Sequence, residues 1–101
     1  MVEGKITFIG FEVDEAEKAI IDNLISSYKH KISQITDYNE IKLRLKKRQH
    51  GKAWMHEVHG TLITGQMFTA KVEDYNLFAA ISEVFEKLIN EIKHKQRTNR
   101  Q

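Results

Sequence analysis

The chain has 101 residues, the length of one small domain, and its hydrophobic fraction of 41% is enough to form one core. It contains no cysteine, which excludes a thiol nucleophile, an iron–sulfur cluster, a thiolate zinc site and disulfides. The first residues lack the cationic and apolar stretches of a signal peptide, and no apolar run approaches the ~20 residues of a membrane span. We therefore expect a soluble, cytoplasmic protein.

The formal charge of +2 conceals a segregation of charges along the chain. Acids predominate between residues 12 and 22, whereas residues 42–56 contain six bases and no acid, and residues 87–101 contain five bases and one acid. These two basic blocks hold eleven of the sixteen lysines and arginines. A protein with such patches can concentrate near a polyanion even when its net charge is small.

The first predicted elements are a strand and a long helix. Residues 5–11 are rich in β-branched and aromatic side chains, which predicts a strand that ends near Glu12. Asp14 and Glu17 have the spacing of a capping box, so we expect a helix from Asp14 to Ser33. Its predicted apolar stripe consists of Ala16, Ile20, Leu24, Tyr28 and Ile32, with Ile21 and Ile25 beside them.

Three predicted strands follow the helix. Apolar and basic residues alternate over residues 41–46, which predicts a strand with one apolar face and one cationic face. A turn at residues 50–52 leads into a third strand over residues 53–63, and Gly65 marks the turn before a fourth strand over residues 67–73.

The length of the last turn decides which residues of the third strand share a face with the apolar residues of the fourth. A three-residue loop at residues 64–66 places Val58, Gly60 and Leu62 on that face. A two-residue loop places His59, Thr61 and Ile63 there instead. We favour the three-residue loop.

A second helix ends the predicted fold. Asn76 is a suitable N-cap, and we expect the helix to run to about Lys95 and then to fray into a flexible basic tail at about residues 96–101. The predicted apolar stripe of this helix consists of Leu77, Phe78, Ile81, Val84, Phe85, Leu88 and Ile92.

The element order is therefore β-α-β-β-β-α within a single domain, residues 1–101. Two helices with one apolar stripe each can cover one face of a four-stranded mixed sheet, which gives an α+β fold. The strand–helix–strand crossover favours a parallel pair, and the short turns make the remaining pairs antiparallel.

The element order and the last third of the chain resemble a known family. Residues 73–81 read Glu-Asp-Tyr-Asn-Leu-Phe-Ala-Ala-Ile and are followed by Glu-Lys-Leu at residues 86–88 and Lys-His-Lys at residues 93–95. These features resemble the ribosome hibernation promoting factor family, also called ribosome-associated inhibitors or subunit interface proteins. The chain stops shortly after the last helix, so the resemblance is to the short form of the family.

The resemblance implies a noncatalytic factor that binds the small ribosomal subunit and its ribosomal RNA in the groove used by messenger and transfer RNA. Such a factor silences idle ribosomes under stress, is a monomer away from the ribosome and uses no cofactor or small-molecule substrate. Carried over by position, the acid before the last helix is Glu73 and the helix lysine is Lys87. Asn90 and Glu91 stand where the family often has arginine and glutamine, which removes one phosphate contact.

The two basic blocks supply the candidate RNA contacts, because lysine and arginine neutralise phosphates and release counterions. The alternative for the strand block is a solvated face that charge protects against edge aggregation. For the helix block, the alternative is a set of bases that complement the helix dipole. The candidate RNA-binding residues are Lys42, Arg44, Lys46, Lys47, Arg48, Lys52, Lys87, Lys93, Lys95 and Arg97.

The aromatic and histidine residues also have both a functional and a structural interpretation. Trp54, Tyr38 and Tyr75 could stack on unpaired bases, but we favour a tryptophan that closes one end of the core. His56 and His59 are three residues apart on a strand and therefore lie on opposite faces, so we expect no metal site. No phosphate loop or nucleophile elbow is present in the sequence, and capping explains the acids near the helix starts, so we expect no catalysis.

Two other functions stay open from the residues alone. A protein-interaction or dimerisation module would use the open face of the sheet, and its basic blocks would serve solubility. A general double-stranded RNA-binding domain also fits, since folds of one sheet and two helices can read RNA shape.

Overall fold

The computed structural model describes residues 4–98 of the chain, with side chains for residues 4–96. The elements are β1 (Lys5–Ile9), α1 (Glu15–Ser33), β2 (Glu40–His50), β3 (Ala53–Ile63), β4 (Met67–Asp74) and α2 (Leu77–Thr98). The strands form one sheet in the order β1-β2-β3-β4, with β1 parallel to β2 and the other neighbours antiparallel. The predicted α+β fold is confirmed.

Both helices cover one face of the sheet, and the other face is open. Ile41, Leu43 and Leu45 of β2 are buried, whereas the basic residues that alternate with them are exposed. The core lies between the covered face and the two helices. Phe85 of α2 is fully buried there and stacks on Tyr28 of α1, with ring centroids 4.9 Å apart and planes 4° apart. Burial, assisted by the nearby Glu86 carboxylate, raises the pKa of Tyr28 above its usual value of 10.0.

The predicted caps are present at both helix starts. The Glu17 amide donates to Asp14 Oδ1 at 2.7 Å, and the Asp14 amide donates to Glu17 Oε1 at 3.1 Å, which completes a capping box. At the start of α2, the Asn76 side chain accepts from the amides of Phe78 and Ala79 at 2.9 and 3.1 Å. These bonds satisfy amides that have no partner within the helix.

The register between β3 and β4 confirms the three-residue loop at residues 64–66. Ile63 pairs with Met67, and Val58 pairs with Val72, so the apolar residues of both strands lie on the covered face. The same register places the alternate residues of β4 on the open face.

The boundaries of two elements differ from the predicted ones. β1 ends at Ile9, two residues earlier than predicted, because Gly10 adopts a φ of +77° and turns the chain away from the sheet. α2 continues to Thr98 rather than ending near Lys95, and Gln96 Nε2 donates to the carbonyl oxygen of Ile35 at 3.0 Å, which ties its last turns to the end of α1. Residues 99–101 of the expected tail lie outside the described residues.

The apolar stripe of α1 is also rotated relative to the prediction. Ile21, Ile25 and Ile32 are buried, whereas Ala16 is exposed and Ile20 is 48% exposed. Consecutive residues are about 100° apart around a helix. Ile21 and Ile25 face the sheet and α2, so Ala16 and Ile20 point away from them toward solvent.

The β2–β3 hairpin projects beyond the helix layer. Leu45 and Val58 are the buried residues nearest its tip, and residues 46–54 are exposed on both sides. At ~3.3 Å per residue, the five residues from 46 to 50 account for a projection of about 16 Å. The hairpin closes at residues 51–52, where Gly51 adopts a φ of +68°.

No helix in the part of the chain that the structure describes is both long enough and apolar enough to span a bilayer.

Candidate nucleic-acid interface

The centre of the open sheet face is cationic. Two neighbouring rows of residues cross all four strands there: Ile9, Arg44, His59 and Lys71 form one, and Thr7, Lys42, Thr61 and Thr69 form the other. We call these two rows the cationic platform. Neither row contains a carboxylate, and ammonium, guanidinium, imidazole and hydroxyl groups can all donate hydrogen bonds to an anion. The platform therefore has the chemistry of an anion-binding surface.

A small cleft of about 140 Å³ lies within the platform and is lined by Ile9, Lys42, Arg44, His59 and Thr61. At the border of the platform, the Thr7 hydroxyl donates to Glu40 Oε2 at 2.6 Å. In residues 4–96, no ion pair involves Lys42 or Arg44. These two cations are therefore not neutralised within the described part of the protein.

Carboxylates border the platform on the side of the hairpin and form ion pairs with two bases of the open face. Arg48 Nη2 lies 2.7 Å from Glu73 Oε1 and 3.7 Å from Glu57 Oε2. Lys71 Nζ lies 3.6 Å from Glu57 Oε1. Arg48 therefore lies on the predicted cationic face, but its guanidinium already forms ion pairs with Glu57 and Glu73.

The strand block of predicted RNA-binding residues divides between the two sides of the sheet. Lys42, Arg44, Lys46 and Arg48 lie on the open face, as alternation predicts. Lys47 does not belong with them, because it follows Leu45 by two residues and so lies on the covered side, where its Nζ donates to the Glu12 carbonyl oxygen at 3.2 Å. Lys52, the last base of the strand block, is exposed in the hairpin turn.

The predicted bases of α2 lie on the other side of the sheet from the platform. Lys87, Lys93 and Lys95 are exposed on this helix, which packs on the covered face. Lys87 and Lys93 are six residues apart, so they point about 120° apart around the helix. Lys93 borders the groove between the two helices, near Lys31. The two basic blocks therefore form no common patch, and the Arg97 side chain lies outside the described residues.

Sequence reasoning missed Lys71 and His59 as members of the cationic platform. Lys71 belongs to no basic run, because it lies between Ala70 and Val72. The signal was nevertheless present in the alternation of β4, since the favoured loop already places Lys71 opposite His59 on the open face.

The aromatic predictions had different outcomes. Tyr38 is buried at 2% exposure, whereas Tyr75 is 51% exposed. The prediction that Trp54 closes the core is wrong, because its side chain lies near the hairpin tip, beyond the N-terminal starts of the helices, and is 54% exposed. His56 and His59 lie on opposite faces, as predicted: His56 Nδ1 donates to the Tyr75 carbonyl oxygen at 2.9 Å, while His59 belongs to the platform.

Removal of the Glu73 carboxylate is expected to strengthen binding of RNA to the open face. Glu73→Gln frees Arg48 from its shortest ion pair, and one additional phosphate contact corresponds to about fivefold tighter binding at 0.1 M salt. Electrophoretic mobility shifts with a fixed RNA can measure the change. Glu15→Gln, at the start of α1, is the control for the lost negative charge, and equal affinities for all three proteins would contradict the prediction.

The comparisons with known proteins agree with the sequence resemblance. Among solved structures, the chain is similar to the crystal structure of the N-terminal domain of Protein Y from Thermus thermophilus. The TM-score is 0.58 and the sequence identity 19%, over 93% of this chain and 98% of that chain, so this likeness concerns the fold. No curated protein gave a match. The sequence pattern of the family described as sigma 54 modulation protein / S30EA ribosomal protein matches residues 5–100. The chain therefore belongs to the sigma 54 modulation protein and S30EA ribosomal protein family.

Proposed function

We propose that this protein is a noncatalytic factor that binds the small ribosomal subunit in the groove used by messenger and transfer RNA and thereby silences translation. Membership of the family supports association with the ribosome and modulation of its activity. The observation that supports direct contact with ribosomal RNA is the cationic platform, in which Lys42 and Arg44 have no ion-pair partner among the described residues.

The arrangement of the platform favours a polyanion over a single small anion. Lys42 and Arg44 are two residues apart on β2, and Lys71 lies two strands away from Arg44, so adjacent cations are separated by roughly 7 to 10 Å at the backbone. Cations at these separations can contact separate phosphates along one nucleic-acid strand. Each contact releases counterions, which makes binding favourable and dependent on salt.

Sedimentation with purified small subunits at several salt concentrations tests the proposal. We expect the protein to pellet with the subunits at low salt and to be released progressively as the salt concentration rises. A failure to pellet even at low salt contradicts the proposal. Equal affinity for a free RNA duplex would instead indicate a general duplex-binding domain, and a complex insensitive to salt and ribonuclease would indicate a protein-interaction module.

Competition tests the location on the subunit. If the protein occupies the groove, subunits preloaded with messenger and transfer RNA should bind less of it, and its addition should inhibit translation in a purified system. Simultaneous binding of all three components without loss of affinity would place the protein elsewhere on the subunit.

A further inference from the structure

We propose that the tip of the β2–β3 hairpin carries a second RNA contact, in which the indole of Trp54 stacks on an unpaired base. This inference rests on the proposed function and adds the kind of RNA element that the protein recognises. It concerns a side of the molecule different from the platform, because Trp54 lies on the covered side of the sheet in a region that the helices do not reach.

The position of Trp54 makes its ring available to a ligand. The side chain is 54% exposed, and the residue opposite it on β2 is Gln49, which is also exposed. Residues 46–54 are all exposed, so a base can approach the indole from beyond the end of the sheet. Trp54 is not among the residues packed against the core, so its large ring contributes little to core stability.

Two histidines hold the hairpin in place. His50 Nδ1 lies 2.9 Å from the Tyr75 hydroxyl oxygen, and His56 Nδ1 donates to the Tyr75 carbonyl oxygen at the same distance. Because Tyr75 lies in the short connection between β4 and α2, these bonds tie both strands of the hairpin to the body of the protein. The indole is therefore presented on a supported strand, which reduces the entropy lost when a ligand binds.

The charges around Trp54 favour an unpaired base over an apolar protein surface as its ligand. Residues 46–56 contain four lysines and arginines and no acid. Lys47 lies on the same side of the hairpin as the indole, where its Nζ also donates to the Glu12 carbonyl oxygen, and Lys52 is exposed in the turn. On the opposite side, Glu57 and Glu73 are engaged by Arg48 and Lys71. An aromatic ring beside phosphate-binding cations is the combination with which proteins bind single-stranded nucleic acids. In a duplex the base faces are already stacked, so the ligand is an unpaired segment.

The chain contains one tryptophan, so its fluorescence reports on this position alone. We expect an unstructured 12-nucleotide oligouridylate to quench the fluorescence of the full-length protein at low salt, and a 12-base-pair RNA duplex to quench it far less. Absence of quenching by the oligouridylate, or equal quenching by the duplex, would overturn the inference.

Substitutions separate stacking from simple apolar contact. Trp54→Leu is expected to weaken oligouridylate binding about 5- to 150-fold, and Trp54→Phe to retain most of the affinity because it keeps an aromatic ring. Met67→Ala removes another exposed apolar side chain, at the far end of the same sheet, and should leave the affinity unchanged. Equal affinities of the Trp54→Leu variant and the unmodified protein would overturn the inference.

Sedimentation with small subunits distinguishes failure of this inference from failure of the proposed function. In one outcome, oligouridylate does not quench the fluorescence of the unmodified protein, and the unmodified protein and Trp54→Leu pellet equally well. The stacking contact is then wrong and the proposed function stands. If oligouridylate quenches the fluorescence but no protein pellets, the stacking contact is supported and the proposed function fails. If Trp54→Leu no longer pellets while oligouridylate fails to quench the fluorescence of the unmodified protein, Trp54 docks on a protein, which also overturns the inference.

Discussion

Replacement of Lys42, Arg44 and Lys46 by glutamine is expected to weaken binding to the small subunit about 100-fold at 0.1 M salt and to lower the salt slope by about two units. All three side chains are exposed on the open face, and no ion pair within residues 4–96 involves them. Their loss therefore removes phosphate contacts without exposing a buried partner. Lys47 is left unchanged in this variant, because it lies on the other side of the sheet and donates to the Glu12 carbonyl oxygen.

The matched comparison replaces Lys87, Lys93 and Lys95 of α2 by glutamine, which removes the same number of charges from the opposite side of the sheet. Sedimentation over a series of salt concentrations gives the slope for each protein, and thermal unfolding verifies that each remains folded. An unchanged slope for the open-face variant would clear that face of involvement. A lowered slope for the α2 variant alone would move the RNA contact to the helical side.

Local patterns predicted the elements of the fold and the two faces of β2. The alternation over residues 41–46 correctly identified the covered and open faces of β2, and the spacing of Asp14 and Glu17 identified the start of α1. Both signals depend on residues a few positions apart, which the backbone places in a fixed relation. The register of β3 against β4 followed from the loop length for the same reason.

The ion pairs of the basic residues and the faces on which they lie were harder to predict. A run of charges is read along the chain, whereas the fold distributes its members in space. Arg48 appeared to be one more cation of a continuous run, but cross-strand neighbours place it beside Glu57 and Glu73. Both basic blocks supplied candidate RNA contacts, but the helices cover only one face of the sheet, so the lysines of α2 point away from the platform.

Trp54 shows the limit of composition as a guide to burial. Large aromatic residues are most often found in cores, which is why the sequence favoured a core position for it. Its exposure depends on where the helices start relative to the hairpin, and that relation is set by the packing of α1 and α2 on the sheet. No pattern within β3 contains this information.

The approach of α2 to the sheet depends on Gly60, and Gly60→Ala is expected to lower the free energy of unfolding by about 1 to 3 kcal/mol. Gly60 lies on the covered side of β3, where an added Cβ would overlap Val84 Cγ1 and lie 3.3 Å from Leu88 Cδ1. Val84 is fully buried and β-branched, so within a helix it has one strongly preferred rotamer and cannot rotate away. The helix must therefore shift away from the sheet.

Denaturant and thermal unfolding measure this effect, and a second substitution identifies its cause. Val84→Ala removes the overlapping methyl groups, so the double variant Gly60→Ala with Val84→Ala should be more stable than the sum of the single changes predicts, by ~0.5 to 3 kcal/mol. Gly65→Ala is the matched control, because nothing lies within 4 Å of an added Cβ there and its φ is not positive. Since alanine also reduces the entropy of the unfolded chain, this control should be neutral or stabilising by up to ~1 kcal/mol. Equal destabilisation by Gly60→Ala and Gly65→Ala, or strict additivity with Val84→Ala, would show that the contact between α2 and β3 tolerates a methyl group.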